Sequence, residues 1–484
     1  MLKNILLTAM LALWLPHAVQ AQSDLPDLGE VSDATLSLAD EARIGREVMR
    51  AMRESGQMLD DVEVSAYLNE LGGRLAAFAQ LPGGHFSYFA VNDNSINAFA
   101  MPGGYIGVHS GLILATQSEG ELASVLAHET AHEAQRHIAR MQAASNATSP
   151  WLLAGTVAAA ILASRAGGGQ GAMGALSAGM GLSISNQLTY SRDFEREADR
   201  VGMQYLAKAG YDVRTMPMFF ARLDKANRYS DNAAFAFLRT HPVTTERISE
   251  AENRAQDYPV VMRADSLTYL LVREKIRVLG QTPEEASAYY HTALERRLFL
   301  NEGAQWYGLA RARLAAHDLA GARSDLAEAR RRLASHPMLF TLEVAIEREA
   351  RNWPAARRAV HRGLAAFPQN LALQLADVDV LIDSGARDEA LAAVRRQLER
   401  RPGDASLYRR QASLYADRDD LRYHAALGNA FYYEQRYGPA QEQYQLAGQA
   451  KGNDFYLRSS IEARLREVEK LLKDEKAQSG KIGQ

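Results

Sequence analysis

The spacing of apolar residues changes from helical to alternating and back along the first part of the chain. Residues 39–56 and 62–78 carry apolar side chains at intervals of three and four, which predicts two amphipathic helices. Residues 85–92 have strand character, with Phe86, Tyr88 and Ala90 on one face alternating against Ser87, Phe89 and Val91 on the other. Residues 96–109 predict a hairpin or bent strand, because a Pro-Gly-Gly sequence interrupts them. The pattern predicts a mainly α protein that begins with an α+β domain containing one small sheet.

A third helix is predicted at residues 118–140. Ser118 and Glu121 have the spacing of a capping box, in which each side chain bonds the backbone N–H near the other. An apolar stripe then leads along the helix to His128 and His132. The two histidines lie four positions apart, so a helix places them on one face.

The second half of the chain has a different composition, in which Ala, Leu and Arg predominate from about residue 263. A small residue recurs there every 34 positions: Ala288, Ala322, Ala356 and Ala390. Each is expected in the second helix of a pair, where a small side chain lets the two helices pack closely. A further unit has Ala440 in the matching place, after an insertion of about half a repeat at residues 404–420. This period predicts an all-α solenoid of tetratricopeptide type.

The length of 484 residues exceeds that of one average domain. The patterns divide it into a leader at 1–21, a mixed domain at 22–262, helical repeats at 263–470 and a polar tail at 471–484. Net charge of −3 argues against nucleic acid as a general partner. No cysteine is present, so any bound metal must be held by His, Asp or Glu.

The leader has the three parts of a secretory signal peptide. Lys3 supplies the positive charge, residues 5–15 form the apolar region, and Ala21 ends a small-residue cleavage site. An apolar region this short is a poor membrane span. We therefore expect an exported, soluble protein, and the absence of cysteine suits a bacterial periplasm.

Residues 151–185 are dominated by Ala, Gly, Leu and Met. Their longest apolar run, at 151–164, falls short of the ~20 residues that a membrane-spanning helix needs. Three interpretations remain open: a buried helical hairpin, a flap over a cleft, and a surface that touches lipid or an unfolded client.

The strongest chemical signal is the sequence His128-Glu129-Thr130-Ala131-His132. Two histidines one helical turn apart can bind a single zinc ion. The glutamate beside the first histidine is then placed to take a proton from a metal-bound water. The alternative is a pair of histidines on an ordinary polar helix face.

A catalytic zinc site needs one more protein ligand than this motif supplies. Residues 190–205 provide candidates on another predicted helix, with Glu195 and Asp199 one turn apart. Glu195 could bind the metal, and Asp199 could accept the second ring N–H of a zinc histidine. Glu197 competes for the ligand role, and a solvated charged helix is the plain alternative.

Four groups of residues match motifs that occur together in one family of metallopeptidases. They are His128-Glu129-Thr130-Ala131-His132, Glu195-Arg196-Glu197-Ala198-Asp199, Asn97-Ala98-Phe99-Ala100-Met101-Pro102-Gly103-Gly104, and Thr240-His241-Pro242 with Arg247. The set resembles the zinc metallopeptidase family that includes the CAAX prenyl endopeptidases. The resemblance implies a zincin-like domain at 22–262 that binds one Zn²⁺ through His128, His132 and Glu195, with Glu129 as the catalytic base.

An extended substrate is expected to pair with the strand at residues 98–108 through main-chain hydrogen bonds. The residues expected along this edge are Asn97, Ala98, Phe99, Pro102, Gly103 and Gly104. The two glycines would allow close backbone approach, whereas the plain alternative is a tight turn.

His241 has three interpretations. It is a capping or core histidine, or a catalytic residue that stabilises the oxyanion of the reaction intermediate. In the third, which the resemblance suggests, it occupies the fourth zinc position as a latch that keeps the enzyme inactive. His109 and His137 are interpreted as ordinary polar positions.

The combination of signal peptide, peptidase domain and repeats resembles periplasmic members of this family in Gram-negative bacteria. The resemblance implies misfolded or stalled outer-membrane proteins as clients and the β-barrel assembly machinery as partner, with docking on the concave face of the repeats. A second hypothesis is a chaperone or assembly factor for outer-membrane β-barrels, with a normally latched metal site and secondary proteolysis.

Overall fold

A computed structural model describes residues 36–81, 84–144, 191–227 and 236–480. The expected signal peptide at 1–21 and the apolar segment at 151–185 lie outside the described residues. Among the residues described, no helix is long and apolar enough to cross a membrane.

The first domain opens with two helices and a three-stranded sheet. Its elements are α1 (Leu38–Glu54), α2 (Val62–Ala76), β1 (Ser87–Val91), β2 (Ala98–Met101) and β3 (Tyr105–His109). The strand order is β1-β3-β2, with β3 parallel to β1 and antiparallel to β2. The predicted hairpin at residues 96–109 is therefore present as β2 and β3, and β2 forms one edge of the sheet.

The histidine motif lies on a buried helix, α4 (Glu119–Ala134), that follows the short α3 (Ser110–Ala115). The Ser118 hydroxyl caps α4 by accepting the N–H of Glu121, as predicted. The Glu121 carboxylate accepts the N–H of Gln117 instead of that of Ser118 and pairs with Arg222, so the capping box is half formed. The predicted helix at 118–140 is broken at Arg136, which has a φ of 51°.

The chain continues as α5 (His137–Ala144), α6 (Arg192–Lys208), α7 (Thr215–Asn227), α8 (Phe237–Thr240) and α9 (Thr245–Ala255). Helix α6 packs directly on α4, and small residues make this approach possible. A Cβ added to Gly202 of α6 would lie 3.1 Å from the Ala127 carbonyl group of α4. This close packing brings the acidic face of α6 to the histidines.

The second part of the chain is a series of antiparallel helix pairs. The pairs are α10 (Leu267–Leu279) with α11 (Pro283–Arg296), α12 (Glu302–Ala315) with α13 (Leu319–Arg332), α14 (Pro337–Glu349) with α15 (Trp353–Ala366), and α16 (Leu371–Asp383) with α17 (Arg387–Arg400). An extra helix, α18 (Ala405–Tyr415), precedes the pair α19 (Asp420–Tyr433) and α20 (Tyr437–Gln449). The final helix, α21 (Phe455–Gly480), extends into the predicted polar tail.

The repeat period is visible in the backbone as well as in the sequence. A left-handed residue lies in the turn within four of the pairs, at His317, Arg351, Gly385 and Gln435. Each second helix has a fully buried alanine in its first turns, and these are Ala286, Ala322, Ala356, Ala390 and Ala440. Ala288, which the 34-residue spacing selected, is exposed, so that prediction is wrong. The interval from Ala286 to Ala322 is two residues longer than 34, because α12 and the connection before it each exceed α14 and its connection by one residue.

The repeats pack against the first domain through the first helices of their pairs. Lys275 on α10 donates to Glu63 at the start of α2 over 2.6 Å, and the Thr341 hydroxyl on α14 donates to the other oxygen of Glu63 over 2.6 Å. Residues of both parts belong to one continuous apolar core. The repeat surface that faces α2 is therefore covered, and only the remaining surface is available for the expected docking of partners.

Candidate metal centre

Four buried side chains converge where α4, α6 and the segment after α8 meet. His128, His132, Glu195 and His241 each offer one ligand atom, and these atoms all lie within 4.8 Å of one another. Each of the four residues is at most 1% exposed. Helical spacing brings the two histidines of α4 together, and the α4–α6 contact adds the carboxylate.

The separations within this group are those of atoms directed at a shared point. Nε2 of His128 lies 3.0 Å from Nε2 of His132, and Glu195 Oε1 lies 3.3 Å from Nε2 of His132. Glu195 Oε2 lies 3.6 Å from Nε2 of His128. Two imidazole nitrogens beside one carboxylate form the donor set of a catalytic zinc site, so the residues present fit a divalent metal ion.

The electrostatics of the site match the protonation states that metal ligands require. Burial lowers the pKa of His132 well below its usual value, which favours the neutral ring. Burial alone would raise the pKa of Glu195, but His241 and His132 beside it hold that pKa well below its usual range. A neutral imidazole and an ionised carboxylate are therefore both present at neutral pH.

Glu129 lies on α4 with its carboxylate turned toward the same cluster. The side chain is fully buried, and burial raises its pKa, although His241 and His128 partly offset this. The carboxylate also lies near the backbone N–H of Ala100 on β2. A buried carboxylate with a raised pKa can act as a general base, and Glu129 is the candidate for that role here.

His241 occupies the remaining side of the cluster. Its Nδ1 lies 2.8 Å from Glu195 Oε1 and 3.3 Å from Nε2 of His128, whereas its Nε2 lies 3.5 Å from Glu129 Oε1. The pKa of His241 is raised, because Glu195 and Glu129 outweigh the opposing effect of burial. The ring therefore stands between the carboxylates of Glu195 and Glu129.

Asp199 lies one turn after Glu195 on α6 and contacts the far side of a histidine. Its Oδ1 is 3.0 Å from Nδ1 of His128. The guanidinium of Arg247 bonds both Asp199 oxygens at 2.8 and 2.9 Å. The same guanidinium lies 2.6 Å from Glu195 Oε2 and donates to the Pro242 carbonyl over 2.9 Å. Arg247 thus joins both carboxylates to the segment that carries His241.

Glu197, the competing ligand candidate, points away from the cluster. Its carboxylate lies 3.2 Å from Nε2 of His137 and accepts from Arg140 over 2.9 Å. Nδ1 of His137 is in turn 2.9 Å from Nδ1 of His132. His137 is fully buried, so its interpretation as an ordinary polar position is wrong. A continuous helix would turn residues five apart to different faces, and the break at Arg136 left no clear signal in the sequence.

His109, the other histidine interpreted as an ordinary polar position, lies away from the cluster. It is buried, and its Nδ1 is 2.9 Å from the hydroxyl of Ser95.

The predicted substrate edge lies beside the cluster on β2. Ala98 is fully buried, while Asn97 and Phe99 are partly exposed, and the Phe99 ring packs edge-on against Phe89 and His109. Within the described part of the chain, β3 is the one strand that pairs with β2. The opposite edge of β2 therefore faces the side from which an extended peptide could add.

The Pro102–Gly104 turn has a structural explanation of its own. Gly103 and Gly104 have φ values of 87° and 86°, which favour glycine. A Cβ on Gly103 would lie 3.0 Å from Ala42 Cα in α1, and a Cβ on Gly104 would lie 2.6 Å from the His85 oxygen. The close approach is thus made by the protein's own backbone, which supports the interpretation as a tight turn for these two glycines.

The fold and the site together define a metallopeptidase domain. Residues 63–255 match Peptidase family M48, and this range contains each of the four clustered residues and Glu129. The chain therefore contains an M48 peptidase domain followed by helical repeats.

More particular relatives are named β-barrel assembly-enhancing proteases. The chain is 42% identical over 262 residues to a putative one from Vibrio cholerae, covering 53% of each protein. It is 34% identical over 283 residues to the one from Escherichia coli K12, covering 57% of each. A mitochondrial metalloendopeptidase OMA1 from Schizosaccharomyces pombe is 32% identical over 186 residues, which is 38% of this chain and 51% of that protein. The chain spans about half the length of the curated relatives it matches.

Among solved structures, one that matches this chain is YrrB, described as a TPR protein with an unusual peptide-binding site. The match has 16% identity and a TM-score of 0.24, and covers 44% of this chain and 97% of that one. A TM-score this low does not establish a shared fold.

Proposed function

We propose that this protein is a periplasmic zinc endopeptidase that cleaves misfolded or stalled outer-membrane proteins. One observation carries the proposal: His128, His132 and Glu195 converge in a buried cluster with Glu129 beside them. The names of the relatives in Vibrio cholerae and Escherichia coli support the choice of substrate class and compartment.

In the proposed reaction, the chain positions a peptide and moves one proton. His128, His132 and Glu195 would hold the zinc ion, which when bound would polarise the peptide carbonyl and acidify water. Glu129 accepts a proton from the attacking water and passes it to the leaving amine. The free edge of β2 holds the substrate by main-chain hydrogen bonds, which tolerates many sequences.

Metal removal is the first test of this proposal. We expect a chelator to abolish digestion of an unfolded outer-membrane protein by the purified enzyme, and a stoichiometric addition of Zn²⁺ to restore it. Elemental analysis should find about one zinc per chain before treatment and none after it. Digestion that continues in metal-free protein would contradict the proposal, and recovery with a different divalent ion alone would correct the choice of zinc.

We further propose that His241 is a latch that closes the fourth position. Its ring lies against both Glu195 and Glu129, so a substrate carbonyl cannot reach the cluster until the segment after α8 moves. The bond from Arg247 to the Pro242 carbonyl supports the closed arrangement.

For His241→Ala we expect peptide hydrolysis to rise, because the closed state is removed while the three other ligands remain. If one wild-type molecule in ten is open at rest, the gain reaches about tenfold. Initial rates on a fluorogenic peptide, corrected for zinc content, measure it. A fall in rate at full zinc occupancy would assign His241 to the oxyanion role instead.

The closed arrangement also favours a second candidate function, that of an assembly factor for outer-membrane β-barrels with secondary proteolysis. Client and partner docking is then proposed for the repeat surface beyond the α2 contact. Tyr408, Tyr432 and Tyr433 are half-buried there, and the Tyr433 ring contacts both of the others. Tyrosines of this kind are frequent at protein interfaces, although helix-pair cores use them as well.

A further inference from the structure

A zinc-binding imidazole must present a lone pair to the metal, which requires its proton on the other ring nitrogen. His128 and His132 both direct Nε2 into the cluster, so both must carry their protons on Nδ1. For His128 the partner of that proton is Asp199, whose carboxylate lies 3.0 Å from Nδ1. The Nδ1 of His132 instead contacts another histidine.

The partner of His132 is His137, with 2.9 Å between the two Nδ1 atoms. If His132 donates, then Nδ1 of His137 must accept, and the proton of His137 must lie on Nε2. That atom faces the Glu197 carboxylate at 3.2 Å, which accepts such a proton. With the His132 proton on Nδ1 and the His137 proton on Nε2, each of these two donors meets an acceptor.

The surroundings of His137 hold its ring in the required orientation. The break at Arg136 starts a new helix at His137 and brings its ring beside that of His132, with ring centres 4.8 Å apart. One face of the ring stacks on Phe194, with ring centres 4.6 Å apart and an angle of 16° between the ring planes. Arg140 donates to Glu197 from the next turn of α5 and fixes the acceptor. A fully buried ring clamped in this way has little freedom to turn.

We propose that His137 is a positioning residue that, with Glu197, fixes the tautomer and orientation of the metal ligand His132. It touches neither substrate nor metal. Glu197, which competed with Glu195 for the ligand role, then acts on the site indirectly, through its contact with His137. The inference rests on the proposed zinc site. It adds that the two ligand histidines are oriented differently: His128 contacts the Asp199 carboxylate directly, whereas His132 reaches the Glu197 carboxylate through His137.

Two substitutions separate positioning from packing. His137→Phe keeps an aromatic ring for Phe194 but removes the acceptor, and we expect zinc affinity to fall about 10–100-fold. His137→Gln restores an acceptor oxygen, and we expect it to recover most of the affinity. Competition with a chromophoric chelator measures both values. In parallel, ¹⁵N NMR of the zinc-free protein should show His132 protonated on Nδ1 in the wild type and a mixture of tautomers in the phenylalanine variant.

The outcomes distinguish the inference from the function on which it rests. If the wild type binds no divalent ion, the proposed function fails. If it binds zinc and His137→Phe binds equally well with an unchanged His132 tautomer, the positioning role is overturned. Equal losses in the Phe and Gln variants would likewise assign a packing role. Should His137→Phe not fold, Glu197→Leu at the partly exposed end of the relay decides the question, with weakened zinc binding expected.

Discussion

Glu129→Gln is expected to lower peptide hydrolysis by about 10²–10⁴-fold while zinc remains bound. The glutamine has nearly the same size and leaves His128, His132 and Glu195 in place, but its amide cannot accept the proton of the attacking water. His241, whose Nε2 lies 3.5 Å from Glu129 Oε1, must move away before substrate enters, so it offers no ready substitute for the base. Initial rates on an unfolded outer-membrane protein, together with zinc content, measure the effect.

Glu246→Gln is a suitable control, since Glu246 is an exposed glutamate on α9 whose charge pairs with Arg196. Its activity should match the wild type. A Glu129→Gln enzyme that keeps its rate at full zinc occupancy would remove the base from the proposed reaction. The same variant separates the two candidate functions in cells: full rescue of outer-membrane assembly by the inactive protein would make binding its main task.

The residues that carry the proposed chemistry could be predicted because their signals are local. Two histidines one helical turn apart share a face in any helix, and a Ser-x-x-Glu sequence marks where that helix begins. Asp199 was accessible to the same argument from Glu195. Each of these inferences used spacing within a single helix, where geometry is fixed by the 3.6-residue period.

What could not be predicted depends on how elements meet. His137 reaches His132 only because the helix breaks at Arg136, and the sequence there still follows a helical pattern. Ala288 was selected by a strict 34-residue period. The first interval is two residues longer than that, so Ala286 is buried instead. In both cases a shift of a few residues changes which face of a helix is buried. The pattern of residue types along the sequence does not predict such a shift.

The glycines of the Pro102–Gly104 turn illustrate the same limit. Sequence alone indicated that Gly103 and Gly104 permit close backbone approach, and the structure agrees. The approaching backbone, however, belongs to α1 and to His85, not to a substrate. A glycine indicates that another group comes close to the backbone, but the structure is needed to identify that group.

Arg247→Leu is expected to destabilise the metal-free protein by about 3–5 kcal/mol, the usual cost of removing one partner from a buried ion pair. Arg247 is 3% exposed and bonds Asp199, Glu195 and the Pro242 carbonyl at once. Leucine fills part of the volume but leaves two buried carboxylates without their common cation. Urea unfolding in the presence of chelator measures the free energy of unfolding without the contribution of bound zinc.

Arg254→Leu provides the matched control, because the same substitution falls on the same helix at a partly exposed position. Its effect should stay within about 0.5 kcal/mol, as for most surface changes. A similar loss in both variants would trace the effect to α9 itself instead of to the buried charges. Zinc affinity distinguishes the two variants independently: Arg247 orients Glu195 and Asp199 and anchors the segment of His241, so only its loss should weaken binding.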